Sequence, residues 1–283
     1  MRRSNGFTLV EIVVVLLIFG IVLAMAAAIT RGVVASQKRS LTATRMAAVD
    51  AALVQFVMQQ RRLPCPADGT KASTDNNAGV EGARTAGGCT GTQANGVVPW
   101  RALALTETEA TDGWERRLTY RVDATLGADG GLDMSMCDPA GTEPQQGAPK
   151  ACNATCTSAT LVNCTKPLFF LSGTASARGL AVRNLAGTII MDPLVGAVGP
   201  NTGAAYVVIS PGESGGGGYL NSGILSTSAA TDGTEEQKNY ANLDLQPYYL
   251  DNTESAAPHF DDVVLRPSIL AVATKAGVAP RSH

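Results

Sequence analysis

From Ile12 to Ile29 the chain runs for eighteen residues without a polar side chain. At 1.5 Å per residue a helix of that length reaches about 27 Å, close to the hydrocarbon thickness of a bilayer, so the run predicts a membrane-spanning helix. Beyond Arg31 the pattern turns from uniformly apolar to striped. Met46, Val49, Leu53, Phe56 and Val57 recur at helical spacing, while Arg45, Asp50, Gln55 and Gln59 fall off the stripe. That is the signature of a helix laying one face on a core. Between residues 31 and 60 there is no proline and only Gly32 among the glycines, so a single helix is expected from about residue 7 to about residue 60. Leu63-Pro64-Cys65-Pro66 ends it, because proline cannot continue a helix and restricts the residue before it.

After the helix the apolar runs become short. Arg117 to Val122 alternates and reads as a strand entered from an Asp112-Gly113 turn; further strands are expected at Leu168–Leu171, Thr188–Met191, Tyr206–Ile209 and Val263–Leu265. Arg101 to Ala110 reads as a short helix, residues 67–96 and 127–165 as loops, and the tail beyond Leu270 as loosely held. The fold class is therefore α+β: a long N-terminal helix, its first half transmembrane, packed against a mainly antiparallel sheet with disulfide-bonded loops. The composition agrees. Only 16% of residues are charged and 30 are glycine, which suits a loop-rich, partly β head better than a helical bundle.

Charge is unevenly placed. Residues 1–60 hold six Lys/Arg against Glu11 and Asp50, a balance of +4, whereas the remainder holds 16 basic and 22 acidic residues, a balance of -6. An acidic head lacks the basic face that neutralises phosphates, so no nucleic-acid partner is predicted. Six cysteines, Cys65, Cys89, Cys137, Cys152, Cys156 and Cys164, lie mid-chain. An even number behind an export-type N-terminus reads as disulfides. Fifteen connectivities are open; the pairing expected is Cys65 with Cys89, the other four pairing among themselves. Cys152-x3-Cys156 also has a spacing that zinc tolerates, but no C-x-x-C pair and no nearby histidine supports it.

Glu11 is the exception in the apolar run. A carboxylate forced to the centre of a membrane costs roughly 2.5–3.5 kcal/mol, so such a group marks a function or has a partner. Four residues earlier stands Phe7, preceded by a short basic leader, Met1-Arg2-Arg3-Ser4-Asn5-Gly6. A cut between Gly6 and Phe7 creates an α-ammonium group at the helix start, and Glu11 of one copy can meet Phe7 of the next. An ordinary secretory signal competes, since Ala24-Met25-Ala26 fits an A-x-A cleavage site. Its apolar stretch is normally only 7–15 residues long, however, and does not begin with an acid.

Gly6-Phe7-Thr8-Leu9-Val10-Glu11 resembles the type IV prepilin signature. The resemblance implies cleavage after Gly6 by a prepilin peptidase, N-methylation of Phe7 and use of Glu11 in assembly. It also implies a division into leader (1–6), long helix (7–60, with about 7–30 in the membrane and 31–60 under the head) and periplasmic head (61–283). Weaker likenesses to large minor pilins and pseudopilins run through Arg62-Leu63-Pro64-Cys65-Pro66, Asp112-Gly113-Trp114, Ala205 to Ser210 and Phe260 to Val264. The implied partners are other pilin or pseudopilin subunits, the prepilin peptidase/methyltransferase, and an inner-membrane assembly platform. The positive-inside rule is ambiguous here, because Arg31, Lys38, Arg39 and Arg45 follow the span as Arg2 and Arg3 precede it. The resemblance and the cysteine-rich head place the N-terminus in the cytoplasm and the head in the periplasm.

No enzyme is expected. Gly212-Glu213-Ser214-Gly215-Gly216 fits G-x-S-x-G, with Asp251 and His259 downstream in hydrolase order, and an exported serine hydrolase using Ser214 is the alternative. A nucleophile elbow needs a helix directly after its serine, and Gly215–Gly218 oppose one by roughly 1 kcal/mol each; a glycine-rich hairpin loop is the plainer reading. No cofactor is expected, with Asp251, Asp261 and Asp262 as the candidate calcium ligands, although they lack EF-hand spacing.

Overall fold

The computed structural model describes residues 9–133, 179–193, 203–227 and 233–279, and over 24–31 it describes the backbone alone. Helix α1, Leu9–Gln60, is continuous over 52 residues, about 78 Å. Its C-terminal half carries the expected stripe: Met46, Val49, Leu53 and Val57 are buried, Phe56 is half-buried, and Thr42 extends the stripe by one turn. The chain leaves the helix through Arg61, in the left-handed region at φ 58°, where Arg61 N still donates to Val57 O. Buried Leu63 and Pro64 follow.

The head is built on short strands: β1 Ala67–Asp68, β2 Arg84–Thr85, β3 Gly88–Cys89, β4 Gly96–Val97, β5 Thr119–Val122, β6 Val182–Arg183, β7 Ile189–Met191, β8 Tyr206–Ser210, β9 Tyr249–Leu250, β10 Ser255–Ala256, β11 His259–Phe260 and β12 Val263–Leu265. Five form the central sheet in the order β1-β4-β5-β8-β12, every neighbouring pair antiparallel. A smaller sheet has the order β7-β6-β9, and β2–β3 and β10–β11 are hairpins.

The register of β5 on β8, from Thr119↔Ile209 to Val122↔Tyr206, sorts their side chains by face. Tyr120, Val122, Tyr206 and Val208 join the core that contains the α1 stripe. Val207 and Ile209 point the other way, into a second core with Leu180, Val182, Met191 and Tyr249. With both faces covered, every residue of β5 and β8 is buried. This corrects the one-sided alternation expected for 117–122: the polar positions do not meet water. Arg121, 1% exposed, donates to the carbonyls of Gly96, Ala241 and Leu243. Arg117, fully buried, reaches the carbonyls of Gly69 and Lys71 and the carboxylate of Glu107. Each guanidinium gathers carbonyls that loops cannot pair among themselves.

Two further expectations are corrected. Residues 101–110 form turns ending in a 3-10 segment at Thr108–Ala110; Ala104 at φ 54° breaks any continuous helix. The tail beyond Leu270 is not loose. Helix α2, Ile269–Lys275, starts at a Ser268 cap whose hydroxyl accepts from Ala271 N. It buries Ile269, Val272 and Ala273, followed by Ala276 and Val278, in the core shared with α1. Lys275 Nζ and Tyr206 OH both donate to Asp50 of α1. The strands expected at 188–191, 206–209 and 263–265 are present within a residue, whereas that at 168–171 lies outside the described residues.

Cys65 and Cys89 form the expected disulfide, across 24 residues. It ties the β2–β3 hairpin to the segment leaving α1, where Arg62 also holds the Glu81 carboxylate with both Nη atoms. Cys137, Cys152, Cys156 and Cys164 lie outside the described residues. Helix, antiparallel sheet and disulfide together fit an α+β pilin-like fold.

Candidate functional site

Along Leu9–Leu23 every side chain of α1 is exposed. Thirteen of them are large and apolar, from Leu9 at 80% exposure through Leu16 at 65% and Phe19 at 60% to Leu23 at 55%. Leaving that many apolar side chains half in water costs on the order of 10–20 kcal/mol, so this cylinder belongs in lipid or among other helices. Glu11, also exposed, stands in its first turn, where a carboxylate favours the positive end of the helix dipole. Gly6 and Phe7 lie outside the described residues.

Residues Gly32–Gln60 also reach membrane-crossing length, and an eighteen-residue stretch within them has a mean hydropathy of 1.3. That segment, however, carries Lys38, Arg39, Arg45 and Asp50 and buries its apolar stripe in the head. Burying the stripe twice is impossible, so of the two the earlier, bare segment is the candidate to cross a membrane. A single N-terminal apolar helix of this kind is consistent with a single-pass anchor.

The head takes hold of α1 at residues 38–45. The Asp112-Gly113 turn lies directly on the helix: Gly113 N donates to Thr42 Oγ1 at 2.9 Å, and Thr42 Oγ1 donates to Lys38 O at 2.9 Å. A Cβ on Gly113 would stand 2.3 Å from Lys38 O, so only glycine lets the two backbones approach this closely. Arg45 Nη1 donates to Asp112 O at 2.8 Å. Asp112 itself is fully buried and accepts from Trp114 N, Arg116 N and Ser210 Oγ. Burial raises its pKa from the ordinary 3.8, outweighing the hydrogen bonds that lower it.

The residues of the hydrolase reading have other partners. Ser214 Oγ donates to Asp261 Oδ1 at 2.9 Å, and its N–H to Asp261 Oδ2 at 2.6 Å. His259 Nδ1 lies 2.9 Å from Glu236 Oε2, and Asp251 accepts from Arg266 Nε. Gly212–Ser214 is a turn, and no helix follows the serine, as four glycines dictate. The carboxylates considered for calcium are divided in the same way: Asp251 goes to Arg266, Asp262 accepts from Asn239 Nδ2, and Asp261 joins Glu236 and His259. Glu236 was not singled out by the sequence, since nothing local distinguishes it from Glu235.

Residues 1–27 match the family model described as the prokaryotic N-terminal methylation motif, the hallmark of type IV prepilin-like proteins. No curated protein and no solved structure matches the chain.

Proposed function

We propose that the chain is a minor type IV pilin or a pseudopilin, a structural subunit of a pilus or of a secretion pseudopilus. In this reading residues 1–6 are a leader removed after Gly6 by a prepilin peptidase, and Phe7 becomes the methylated N-terminus. The protein waits in the bacterial inner membrane as a single-pass subunit, its N-terminus cytoplasmic and its 61–283 head periplasmic. An assembly platform then transfers it into the fibre, where its partners are other pilin-like subunits. It is a substrate of processing enzymes and a building part, not a catalyst.

The observation that carries this reading is α1 itself: one unbroken helix whose bare apolar half, headed by Glu11 and the methylation motif, continues into a half clamped by the head. A plain anchor needs the apolar half but not an acid at its head. Glu11 of one subunit pairs with the Phe7 ammonium of a neighbour. In an apolar bundle that pair neutralises two charges that are each costly alone, so it sets the axial register of the helices. A head of more than two hundred residues packs poorly in a tight helical array, which favours a low-copy or tip position.

The test is fibre incorporation. Gly6→Ala should leave uncleaved precursor in the membrane, and Glu11→Ala should give a processed, stably folded subunit that fails to enter fibres. Wild-type incorporation by both variants contradicts the proposal.

A further inference from the structure

Outside the helix, the head brings three metal-ligating side chains to one place. A nitrogen of His259 and one carboxylate oxygen each of Glu236 and Asp261 all lie within 4.8 Å of one another. We propose that these three residues form a binding site for a divalent first-row transition metal of the zinc type, which fastens the β10–β11 hairpin to the 3-10 turn at Glu236–Asn239.

The donor set selects the class of ion. One imidazole nitrogen and two carboxylate oxygens suit zinc, which takes nitrogen and oxygen ligands at about 2.0–2.2 Å; calcium takes oxygens, six to eight of them. At those bond lengths tetrahedral ligand atoms stand about 3.3 Å apart. His259 Nδ1 and Glu236 Oε2 are already 2.9 Å apart, so a small outward rotation of one side chain admits the metal between them.

Charge balance points the same way. The Glu236 side chain is 2% exposed and that of His259 23%. Two carboxylates, one of them on the buried Glu236, face one imidazole; a dication bound with the ring neutral cancels their charge, and any proton on the ring goes to solvent.

The carboxylates are also held from behind, as metal ligands are. Asp261 N donates to Glu236 Oε1 at 2.8 Å, and Ser214 donates to both oxygens of Asp261. Ser214, the residue of the hydrolase motif, thereby acquires a positioning role. Gly212 completes the arrangement, since a Cβ there would stand 2.3 Å from Asp261 O and displace that residue. The partial exposure of His259 leaves a side open for a water as fourth ligand. The segment so fastened bears on α1, because Glu254, just before β10, pairs with Arg39.

The experiment uses the full chain in detergent, stripped with a chelator and titrated with zinc alone or calcium alone. One zinc per chain is expected, with a raised thermal midpoint and preference over calcium. His259→Gln should abolish binding, His283→Ala should leave it intact, and Ser214→Ala should weaken it about 10-fold. Zinc binding that survives His259→Gln, that vanishes with His283→Ala, or that calcium equals overturns the site. Should His259→Gln fail to fold, cobalt(II) added to the unmodified protein decides. Visible absorption of a four-coordinate nitrogen–oxygen site is the predicted result; no such band, or a thiolate charge-transfer band placing the metal on cysteine, contradicts it.

Discussion

The two halves of α1 share one backbone geometry and differ in almost everything else. From Leu9 to Leu23 every side chain is exposed and nearly all are apolar. From Thr42 to Val57 only one stripe is buried, and it packs in the core that holds Tyr206, Val208 and α2. A half that is apolar all round has no preferred face, so its environment must be apolar all round: lipid, or a bundle of other apolar helices. A striped half has one correct neighbour, its own head. The difference shows how one helix can pack on its own head at one end and present a wholly apolar surface at the other, with Lys38–Arg45 as the seam.

The sharpest way to break this contrast is to make the same truncation on both sides of the seam. Leu53→Ala, at a fully buried position, should lower head stability by about 2–5 kcal/mol through lost burial and a cavity. Leu16→Ala should change head stability by less than about 0.5 kcal/mol, and should register instead in membrane retention or fibre incorporation. Denaturant unfolding of the full chain in detergent, followed by the fluorescence of Trp100 and Trp114, reads both. Equal losses would mean that the halves are not energetically separate.

A smaller effect tests the seam. Gly113→Ala must push the Asp112-Gly113 turn away from Lys38, at about 1–3 kcal/mol. The same unfolding assay, with protease susceptibility near residue 40, should show the head loosened on a helix that remains intact.

The smallest effect is one of pH. Because burial raises the Asp112 pKa above its ordinary 3.8, the fold binds this proton more tightly than the unfolded chain. Its contribution to stability is fully present below 3.8 and is lost as pH rises through the folded value. Asp112→Asn removes that titration. The stability of the unsubstituted protein relative to the variant should therefore increase as pH falls from neutral to below 3.8; urea midpoints that track each other across the range would contradict it.

What was legible in the sequence was what is periodic or local. The bare run, the stripe at Met46–Val57 and the Pro64 stop are patterns along one helix, and their reading needed no knowledge of the head. Strands β8 and β12 were readable for the same reason, as short apolar runs between turns. The surfaces that cover them were not. Arg117 and Arg121 looked like solvent-facing residues of an alternating strand because their partners are carbonyls as distant as Asn221 and Leu243. Helix α2 was readable in retrospect: Ser268 is a cap, and Ile269, Val272, Ala273 and Ala276 keep helical spacing. Its shortness hid it. Glu236 stands 23 residues from His259, a juxtaposition that only the folded head creates. At the other candidate site, Glu11 with Gly6 and Phe7, the motif is contiguous, so the chain displays it without any fold at all.

Processing at the start of α1 is the central claim, and the N-terminal residue of the mature protein tests it most directly. Intact-mass and fragment-ion spectrometry of the protein purified from membranes or fibres should find N-methylated Phe7 as the first residue. A chain that still begins at Met1, or one trimmed just beyond Ala26, would contradict it.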